Sequence, residues 1–391
     1  MAVDWSSLPL DLICTIALNL ETLEDFIYFS VVCRSWNHSS SLIKHQWRDS
    51  PVVPWLLLAE NANEDSKSSR EIFNLENNKC YRFNLPEMVE ARCWGSTYGW
   101  VVIVDRDVNV QLFNPITKAH ICFPSMRHLH PQPENMNDER YISFFLSFLL
   151  RKFIVVKISP DEFVIMVLYD SRKHLAFARH GDRSWTKVVS PKITDARMAD
   201  FAIVNDNVFA LYNDGALVYW NIKELIGGCG LVKPIDYVPS HPPEIFDELK
   251  KRVNKIYLVK SGSQLLMVLR YKQVVPNTER TYYDYETFAF DVYRLNSKDR
   301  KWEDVDEDFG DVALIVGNNS SMSIPITSSK SMHPRCIYFT DDESTMWGSS
   351  KEKSGHDMGV CDVDSQEIWK FYEGGNTGSL RCPPTCFIPQ F

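Results

Sequence analysis

Apolar residues near the start of the chain recur with helical spacing. Leu8, Leu12 and Ile16 follow one another every four residues, as they do on one face of an α-helix. Pro9 suits the first position of that helix, where its missing N–H costs nothing. Two further helices are predicted from apolar groups that would form their buried faces: Leu23, Phe26, Ile27 and Phe29 in the second, and Val32, Cys33 and Trp36 in the third.

This helical stretch carries more large apolar residues than it can bury. A unit of fewer than 50 residues hides only a modest share of its own apolar surface. The surplus should therefore face either the rest of this chain or another protein. The spacing alone does not decide between the two.

The pattern changes after residue 70 to short runs that are rich in β-branched and aromatic residues. They are bounded by Gly, Asn, Asp and Pro, and an earlier run, residues 55–59, is the first buried strand candidate. The segments 213–215 and 160–162 are predicted hairpin turns. Residues 61–70 are polar and predict a solvated loop.

The number of these runs predicts the architecture. Roughly 25 strand candidates lie between residues 55 and 391, too many for one sandwich or barrel. Groups of four strands that repeat about every 50 residues are typical of a β-propeller, here with six blades and with seven as the alternative. Trp185, Trp302 and Trp369 each follow a polar turn, and we expect each to cover a seam between neighbouring sheets. The fold class is thus mainly β, with a small helical unit in front.

Composition and charge exclude several classes of partner. The chain has 391 residues and a net charge of −9, without a basic stripe, so we expect no nucleic-acid partner. The most apolar uninterrupted run, residues 142–150, is too short to span a bilayer, so no membrane partner is expected. Ten cysteines without a spacing framework, and the lack of a secretory signal, predict free thiols in a reducing compartment, the cytoplasm and/or the nucleus. Cys382 and Cys386 are interpreted as two free thiols, not a zinc site.

The sequence contains no recognisable catalytic motif. It lacks a phosphate-binding glycine loop, a His-Glu-x-x-His pair and a Gly-x-Ser-x-Gly elbow. We therefore expect no catalytic residue, no cofactor and no metal ligand.

The N-terminal residues resemble an F-box. The resemblance rests on Leu8-Pro9, on the aliphatic positions Leu12, Ile16 and Leu20, and on Val32-Cys33-Arg34-Ser35-Trp36. It implies a chain that docks on a Skp-type adaptor and, through it, on a cullin. The adaptor contacts that it implies are Leu8, Pro9, Leu12, Ile16, Leu20, Val32, Cys33 and Trp36. Ala17 departs from the family pattern, which has a second large aliphatic residue there, and this should loosen the contact.

The rest of the chain resembles the kelch-related propeller of plant F-box proteins of the KIB type. The resemblance is carried by residues 112–117, 175–178 and 181–186, and most specifically by 310–317 and 336–342. It implies an F-box domain at residues 1–49 and a protein-binding propeller at residues 50–391, without chemistry of its own. The function expected is that of the substrate-recognition subunit of a Skp–cullin–F-box ubiquitin ligase, with an unknown protein substrate. The alternatives are a scaffold propeller without ligase activity and a propeller hydrolase.

Overall fold

The structure is a computed structural model. It describes residues 4–20, 23–30, 32–48, 53–60, 68–129, 139–159, 161–189, 197–228, 230–237, 253–276, 283–305, 310–326, 331–342, 356–374, 379 and 382–390.

The N-terminal unit consists of three helices behind a short 3-10 turn at Trp5–Ser7. The helices are α1 (Leu10–Leu18), α2 (Leu23–Ser30) and α3 (Arg34–Arg48). Pro9 is the N-cap of α1, whereas the sequence predicted it as the first helical residue, one position further into the helix. Both α1 and α2 pack on α3, and a small core fills the space between them: Ile13, Ala17, Phe26, Phe29 and Ile43.

Twenty-five strands follow in the described residues, in four four-stranded sheets and one nine-stranded sheet. The nine-stranded sheet consists of two parts that meet only at one parallel bridge, and these parts are counted as the fifth and sixth sheets. The first sheet contains β1 (Trp55–Leu57), β2 (Ser69–Asn74), β3 (Lys79–Asn84) and β25 (Thr385–Phe387), and the second contains β4 (Arg92–Gly95), β5 (Val101–Val104), β6 (Val110–Phe113) and β7 (His120–Phe123). The third contains β8 (Leu150–Ser159), β9 (Glu162–Tyr169), β10 (His174–Arg179) and β11 (Thr186–Lys187), and the fourth contains β12 (Met198–Val204), β13 (Asn207–Tyr212), β14 (Leu217–Asn221) and β15 (Ile235–Tyr237). The fifth contains β16 (Val253–Ser261), β17 (Gln264–Pro276), β18 (Tyr283–Asn296) and β19 (Lys301–Asp304), and the sixth contains β20 (Val312–Val316), β21 (Met322–Pro325), β22 (Cys336–Phe339), β23 (Gly359–Asp362) and β24 (Ile368–Trp369). A single parallel pair, Lys260 with Met322, joins the fifth sheet to the sixth.

Helical turns are few in this part of the chain. The described ones are the 3-10 turns Pro86–Met88 and Met126–His128, the helix α4 (Glu139–Phe144) with a π-helical turn at Phe145–Leu149, and α5 (Ile222–Gly227). The apolar run at residues 142–150 is thus helical as far as Leu149, and its last residue begins β8.

Six apolar cores lie between consecutive sheets and close the molecule into a ring. Each core combines side chains from two sheets, and the sixth sheet packs against the first. Representative pairs, in ring order, are Trp55 with Phe113, Trp94 with Phe153, Phe177 with Trp220, Leu211 with Leu269, Phe290 with Phe339, and Ile315 with Leu56. The architecture is therefore a six-bladed β-propeller, which confirms the predicted fold class.

The ring is closed by pairing residues that are far apart in sequence. β25 pairs antiparallel with β1, with Trp55 opposite Phe387 and Leu57 opposite Thr385. The first blade therefore takes three strands from one end of the propeller sequence and its inner strand from the other.

Several local predictions can be compared with this structure. The predicted hairpin turn at 213–215 is confirmed, with a φ of 86° at Gly215. At the turn predicted over 160–162, Ser159 pairs with Glu162, and Pro160 lies outside the described residues. Trp185 and Trp302 are buried in seams between blades, as expected, whereas Trp369 is 36% exposed, so that part of the prediction is wrong. The predicted loop at 61–70 is wrong at its end, because β2 begins at residue 69; residues 61–67 lie outside the described residues.

Candidate functional site

The start of the chain is tied to α3 by two hydrogen bonds. Trp36 Nε1 donates to the carbonyl of Trp5 at 3.1 Å, and Ser35 Oγ donates to the carbonyl of Ser6 at 3.0 Å. The Trp36 ring also packs on Phe29, with 4.4 Å between the ring centroids. Trp36 thus holds the segment that leads into α1 against the rest of the helical unit.

Helix α1 is apolar on more sides than its neighbours cover. Seven of its nine residues are apolar, but only Ile13 and Ala17 are fully buried. Leu10, Leu12 and Leu18 are 43%, 48% and 45% exposed. A helix that is apolar all round is stable in water only when a partner covers its remaining faces. The uncovered side of α1 is therefore a candidate protein-binding surface.

The predicted adaptor contacts fall into two groups. Pro9, Leu12 and Val32 are exposed, whereas Cys33 is half-buried, with its thiol 3.0 Å from the Ser35 hydroxyl. The other four are half-buried and pack against the helical core: Leu8, Ile16, Leu20 and Trp36. The structure therefore brings the second group together around the core and leaves Pro9, Leu12 and Val32 open; the contacts themselves stay predictions.

Two predictions about this unit are wrong. Val32 does not belong to the buried face of the third helix, because α3 begins at Arg34 and Val32 is 59% exposed. Ala17 is fully buried between the helices and cannot touch an adaptor. Its small side chain therefore belongs to the packing of α1 on α3, and it does not loosen an outside contact.

Sequence reasoning missed five further exposed apolar residues of this unit: Trp5, Leu10, Leu18, Tyr28 and Leu42. The sequence contained a signal for Leu10 and Leu18, because the apolar residues of α1 are not confined to the face that carries Leu8, Leu12 and Ile16. Helix α2 instead faces the propeller. Ile27 packs against the core between the first two blades, and the Tyr28 ring lies 6.3 Å from that of Tyr81.

A second candidate site is a cavity of about 700 Å³ that is lined by residues of blades three to six and by Thr97 and Tyr98. Its walls include the middle of β8, the ends of β12 and β16, and the segment 320–325 of blade six. Ser320 and Ser321 of the segment 318–321 line the cavity, and this segment bonds to two other blades: Ser320 Oγ donates to the Phe153 carbonyl at 2.9 Å, and Asn318 Nδ2 donates to the Cys93 carbonyl at 3.2 Å. The buried side chain of Lys152 forms a 2.6 Å ion pair with Asp200, whose carboxylate also accepts from the Leu258 N–H at 2.7 Å.

A buried charge cluster joins blade five to the end of blade six. Arg270 is fully buried and donates to Thr287 Oγ1 at 2.7 Å and to Asp357 Oδ2 at 2.9 Å. Burial would raise the pKa of Asp342, but Lys255 and its basic neighbours outweigh that effect and hold the pKa well below its ordinary value. Because opposite charges lie within 4.0 Å throughout, we interpret this cluster as a structural clamp, not as an active site.

Another buried arginine is paired with sulfur. Arg70 Nη2 donates to Cys382 Sγ at 2.7 Å and lies 4.0 Å from Cys93 Sγ. The hydrogen bond from Cys93 and the charge of Arg70 lower the pKa of Cys382 to about 6, against the opposing effect of burial. The lowered pKa favours the thiolate form of Cys382, which complements the buried guanidinium at the junction of blades one and two.

The described residues show no arrangement typical of a metal centre. Among them, no group of three or more His, Cys, Asp or Glu side chains could hold a metal ion, and the nine described cysteines are free thiols. Within the same residues, no helix has both the length and the apolarity needed to cross a membrane.

Comparison with known proteins agrees with this geometry. The fold and the helical unit are those of an F-box protein with a propeller: the F-box domain matches residues 5–45, and the KIB1-4 beta-propeller matches residues 72–362. The chain belongs to this family of F-box proteins with a KIB1-4 β-propeller.

Relatives from Arabidopsis thaliana match most of the chain. F-box protein At2g17036 is 23% identical over 88% of this chain and 85% of its own length. F-box protein SKIP23 is 25% identical over 95% of this chain and 90% of its own length. F-box/kelch-repeat protein KIB1 is 22% identical over 78% of this chain and 71% of its own length. These matches confirm the resemblance to plant F-box proteins of the KIB type.

Proposed function

We propose that this protein is the substrate-recognition subunit of a Skp–cullin–F-box ubiquitin ligase. The observation that carries the proposal is the uncovered apolar side of α1, within a segment that matches the F-box domain. A Skp-type adaptor would cover this side, and burial of exposed apolar surface would supply the binding free energy. The adaptor would connect the chain to a cullin.

In this proposal the propeller holds the protein to be modified. Catalysis then comes from proximity, because the bound substrate is kept near a ubiquitin-loaded enzyme that another subunit provides. The chain itself needs no catalytic side chain for that role. We also place it, as part of the proposal, in the cytoplasm and/or the nucleus, where the adaptor and the cullin would be available.

The helical unit and the propeller are suited to act as one rigid connection. Ile27 and Tyr28 on α2 contact the first blades, while α1 keeps its exposed leucines free of the propeller core. A substrate on the propeller would therefore keep a fixed distance from the adaptor. Such a fixed distance supports proximity catalysis better than a flexible linker does.

The experiment is co-purification of the full chain with a Skp-type adaptor and a cullin. We expect the wild type to capture both, and Leu12→Asp to lose both. Ile158→Asp is the matched control, because Ile158 is 47% exposed on the propeller whereas Leu12 is 48% exposed on α1. Failure of the wild type to capture the adaptor, or equal capture by all three proteins, would refute the proposal.

A further inference from the structure

Two buried thiols share one cation at the junction of blades one and two. Cys93 lies on β4, and Cys382 lies shortly before β25, the strand that closes the ring. Arg70 Nη2 donates to the Cys382 sulfur at 2.7 Å and lies 4.0 Å from the Cys93 sulfur. A hydrogen bond also joins the two cysteine side chains. Ring closure therefore brings together two sulfur atoms from opposite ends of the propeller sequence.

The groups around this pair favour ionisation of one thiol and not of the other. The hydrogen bond from Cys93 and the charge of Arg70 lower the pKa of Cys382 to about 6, although burial and the carboxylate of Glu60 oppose this effect. The same hydrogen bond and burial raise the pKa of Cys93 well above its ordinary value. Arg92, a second cation on β4, interacts electrostatically with both sulfurs. At neutral pH the site therefore holds a thiolate beside a thiol.

Burial dominates at the other buried cysteines in the described part of the chain. Cys336 and Cys361 lie on the neighbouring strands β22 and β23, and burial raises the pKa of each to about 12, with Asp362 adding to the effect. Burial also raises the pKa of Cys386 to about 12. Because these thiols stay protonated at neutral pH, they are internal controls for the reactivity of the first pair.

We propose that Cys382 and Cys93 form a site that hydrogen peroxide oxidises to a disulfide, with Cys382 as the attacking sulfur and Cys93 as the resolving one. The disulfide ties the segment before β25 to blade two and so fixes the closure of the ring. It also removes the negative charge beside Arg70. This inference does not depend on the ligase role.

The reaction is balanced by hydrogen peroxide alone. The Cys382 thiolate attacks one peroxide oxygen and becomes a sulfenic acid, while the O–O bond breaks and the departing hydroxide takes a proton from solvent. The Cys93 sulfur then attacks the sulfenic sulfur, and its proton leaves with the displaced hydroxyl group as water. Two electrons pass from the sulfurs to the peroxide, and a thiol reductant reverses the reaction by exchange.

Both sulfurs are buried, which limits the oxidants that can reach them. Hydrogen peroxide is uncharged and little larger than water. The strand that covers the junction, β25, is only three residues long. Short terminal elements open locally at a lower cost than the whole fold. Small openings of this strand admit peroxide, whereas larger reagents meet the sulfurs only after unfolding.

The test treats the reduced, purified full chain with hydrogen peroxide at pH 7. The protein is then unfolded in the presence of an alkylating reagent and of dimedone, which labels sulfenic acids, and its linked peptides are mapped by mass spectrometry. The wild type is compared with Cys93→Ser and with Cys361→Ser. Cys361 is the matched control, because it too is a fully buried cysteine on a propeller strand. Thermal unfolding checks the fold of each variant.

We expect the wild type and Cys361→Ser to form the Cys93–Cys382 disulfide about tenfold faster or more than Cys336 or Cys386 is oxidised. Cys93→Ser should instead accumulate sulfenic or sulfinic acid at Cys382. The inference is overturned if Cys382 stays reduced in the wild type, if it pairs with another cysteine, or if Cys336 is oxidised equally fast. The wild-type map decides these points even if a variant fails to fold.

The dependence of the oxidation rate on pH is a second test. The rate at Cys382 should be nearly constant from pH 7 to pH 9, because the thiolate is already formed, whereas an ordinary thiol of pKa 9.0 should react about tenfold faster or more at the higher pH. Arg70→Gln should slow the reaction at pH 7 and make it pH-dependent. A wild-type rate that rises like that of an ordinary thiol, or an unchanged rate in Arg70→Gln, would contradict the assigned role of the cation.

Discussion

Leu12 provides a direct test of the proposed binding surface on α1. Complete burial of a leucine side chain is worth about 1.5–3 kcal/mol, and Leu12 is 48% exposed, so covering its exposed half should contribute about 1 kcal/mol. Leu12→Ala should therefore weaken adaptor binding about fivefold. Leu12→Asp should weaken it about 100-fold or more, because an unpaired carboxylate would be buried in the contact at a cost of about 3 kcal/mol or more.

The assay is calorimetric titration of the adaptor into the full chain, with urea unfolding measured in parallel. Leu12→Asp should lower the free energy of unfolding of the free protein by no more than about 1 kcal/mol, since the side chain is exposed on a helix. Ile16→Asp is a poorer test, because Ile16 packs against the helical core and its loss would also unfold the unit.

Leu42 supplies the control for this series. It is also 48% exposed, but it lies on α3 and is not among the predicted contacts. Leu42→Asp should leave the Kd within about threefold of the wild type. The reasoning is refuted if Leu12→Asp binds as tightly as the wild type, or if Leu42→Asp loses as much affinity as Leu12→Asp.

Three further predictions concern the stability of the propeller. Arg270→Met should lower the free energy of unfolding by about 3–5 kcal/mol in urea titration, because it leaves buried acceptors unpaired. Adding Asp357→Asn should restore part of the lost stability. An unchanged unfolding midpoint for Arg270→Met would contradict the interpretation of the cluster as a clamp. Trp185→Phe should lower the free energy of unfolding by about 1–3 kcal/mol, because the Pro124 carbonyl loses the indole N–H that donates to it at 2.7 Å. Trp369→Phe should change it by no more than about 0.5 kcal/mol, because Trp369 is partly exposed. Equal losses of stability in thermal melts would contradict this difference. Cys382 has a pKa of about 6 in the folded protein against 9.0 for an ordinary thiol, so the unfolded state binds more protons between these values, and stability should fall as the pH is lowered from 9 to 6. Cys382→Ala should reduce the difference in the free energy of unfolding between pH 6 and pH 9, measured by urea unfolding. The prediction is wrong if the wild type is equally stable at the two pH values.

Patterns that repeat along the chain were sufficient to predict the main architecture. Alternation of apolar and polar residues is a local property, so the strands and the turns at 160–162 and 213–215 followed from short windows of sequence. The blade count followed from strand number and the four strands that each blade needs. The burial of Trp369 was mispredicted because burial, unlike strand alternation, is not a local property. Its turn resembles those before Trp185 and Trp302, but exposure depends on the neighbouring blade, which the local pattern does not contain.

The interior polar groups could not be predicted, because their partners are distant in sequence. Arg70 is buried because Cys382, 312 residues further on, is its partner. Asn318 bonds to the carbonyl of Cys93 across the ring. A window around residue 70 shows only a polar stretch and predicts a loop. Such pairs become visible only when ring closure has brought the two ends of the propeller together.

For the helical unit, the sequence identified the family but not the orientation of each side chain. Leu8, Ile16, Leu20 and Trp36 were all expected to contact the adaptor, yet they also pack against the core of the unit. A helix that is apolar on most of its surface does not reveal which side its own chain covers. Ala17 shows the consequence, because the residue that looked like a weakened contact is an interior packing position.

The pairing of β25 with β1 makes residues 385–387 decisive for the integrity of the propeller. A messenger that stops before residue 385 would still encode the F-box helices, but its first blade would lack the inner strand and would expose the edge of β1. We expect such a shortened product to occupy adaptor molecules while presenting no intact platform to a target. In the proposed role it would therefore compete with the intact chain for the adaptor, and loss of these residues alone would have a larger effect than loss of the whole protein.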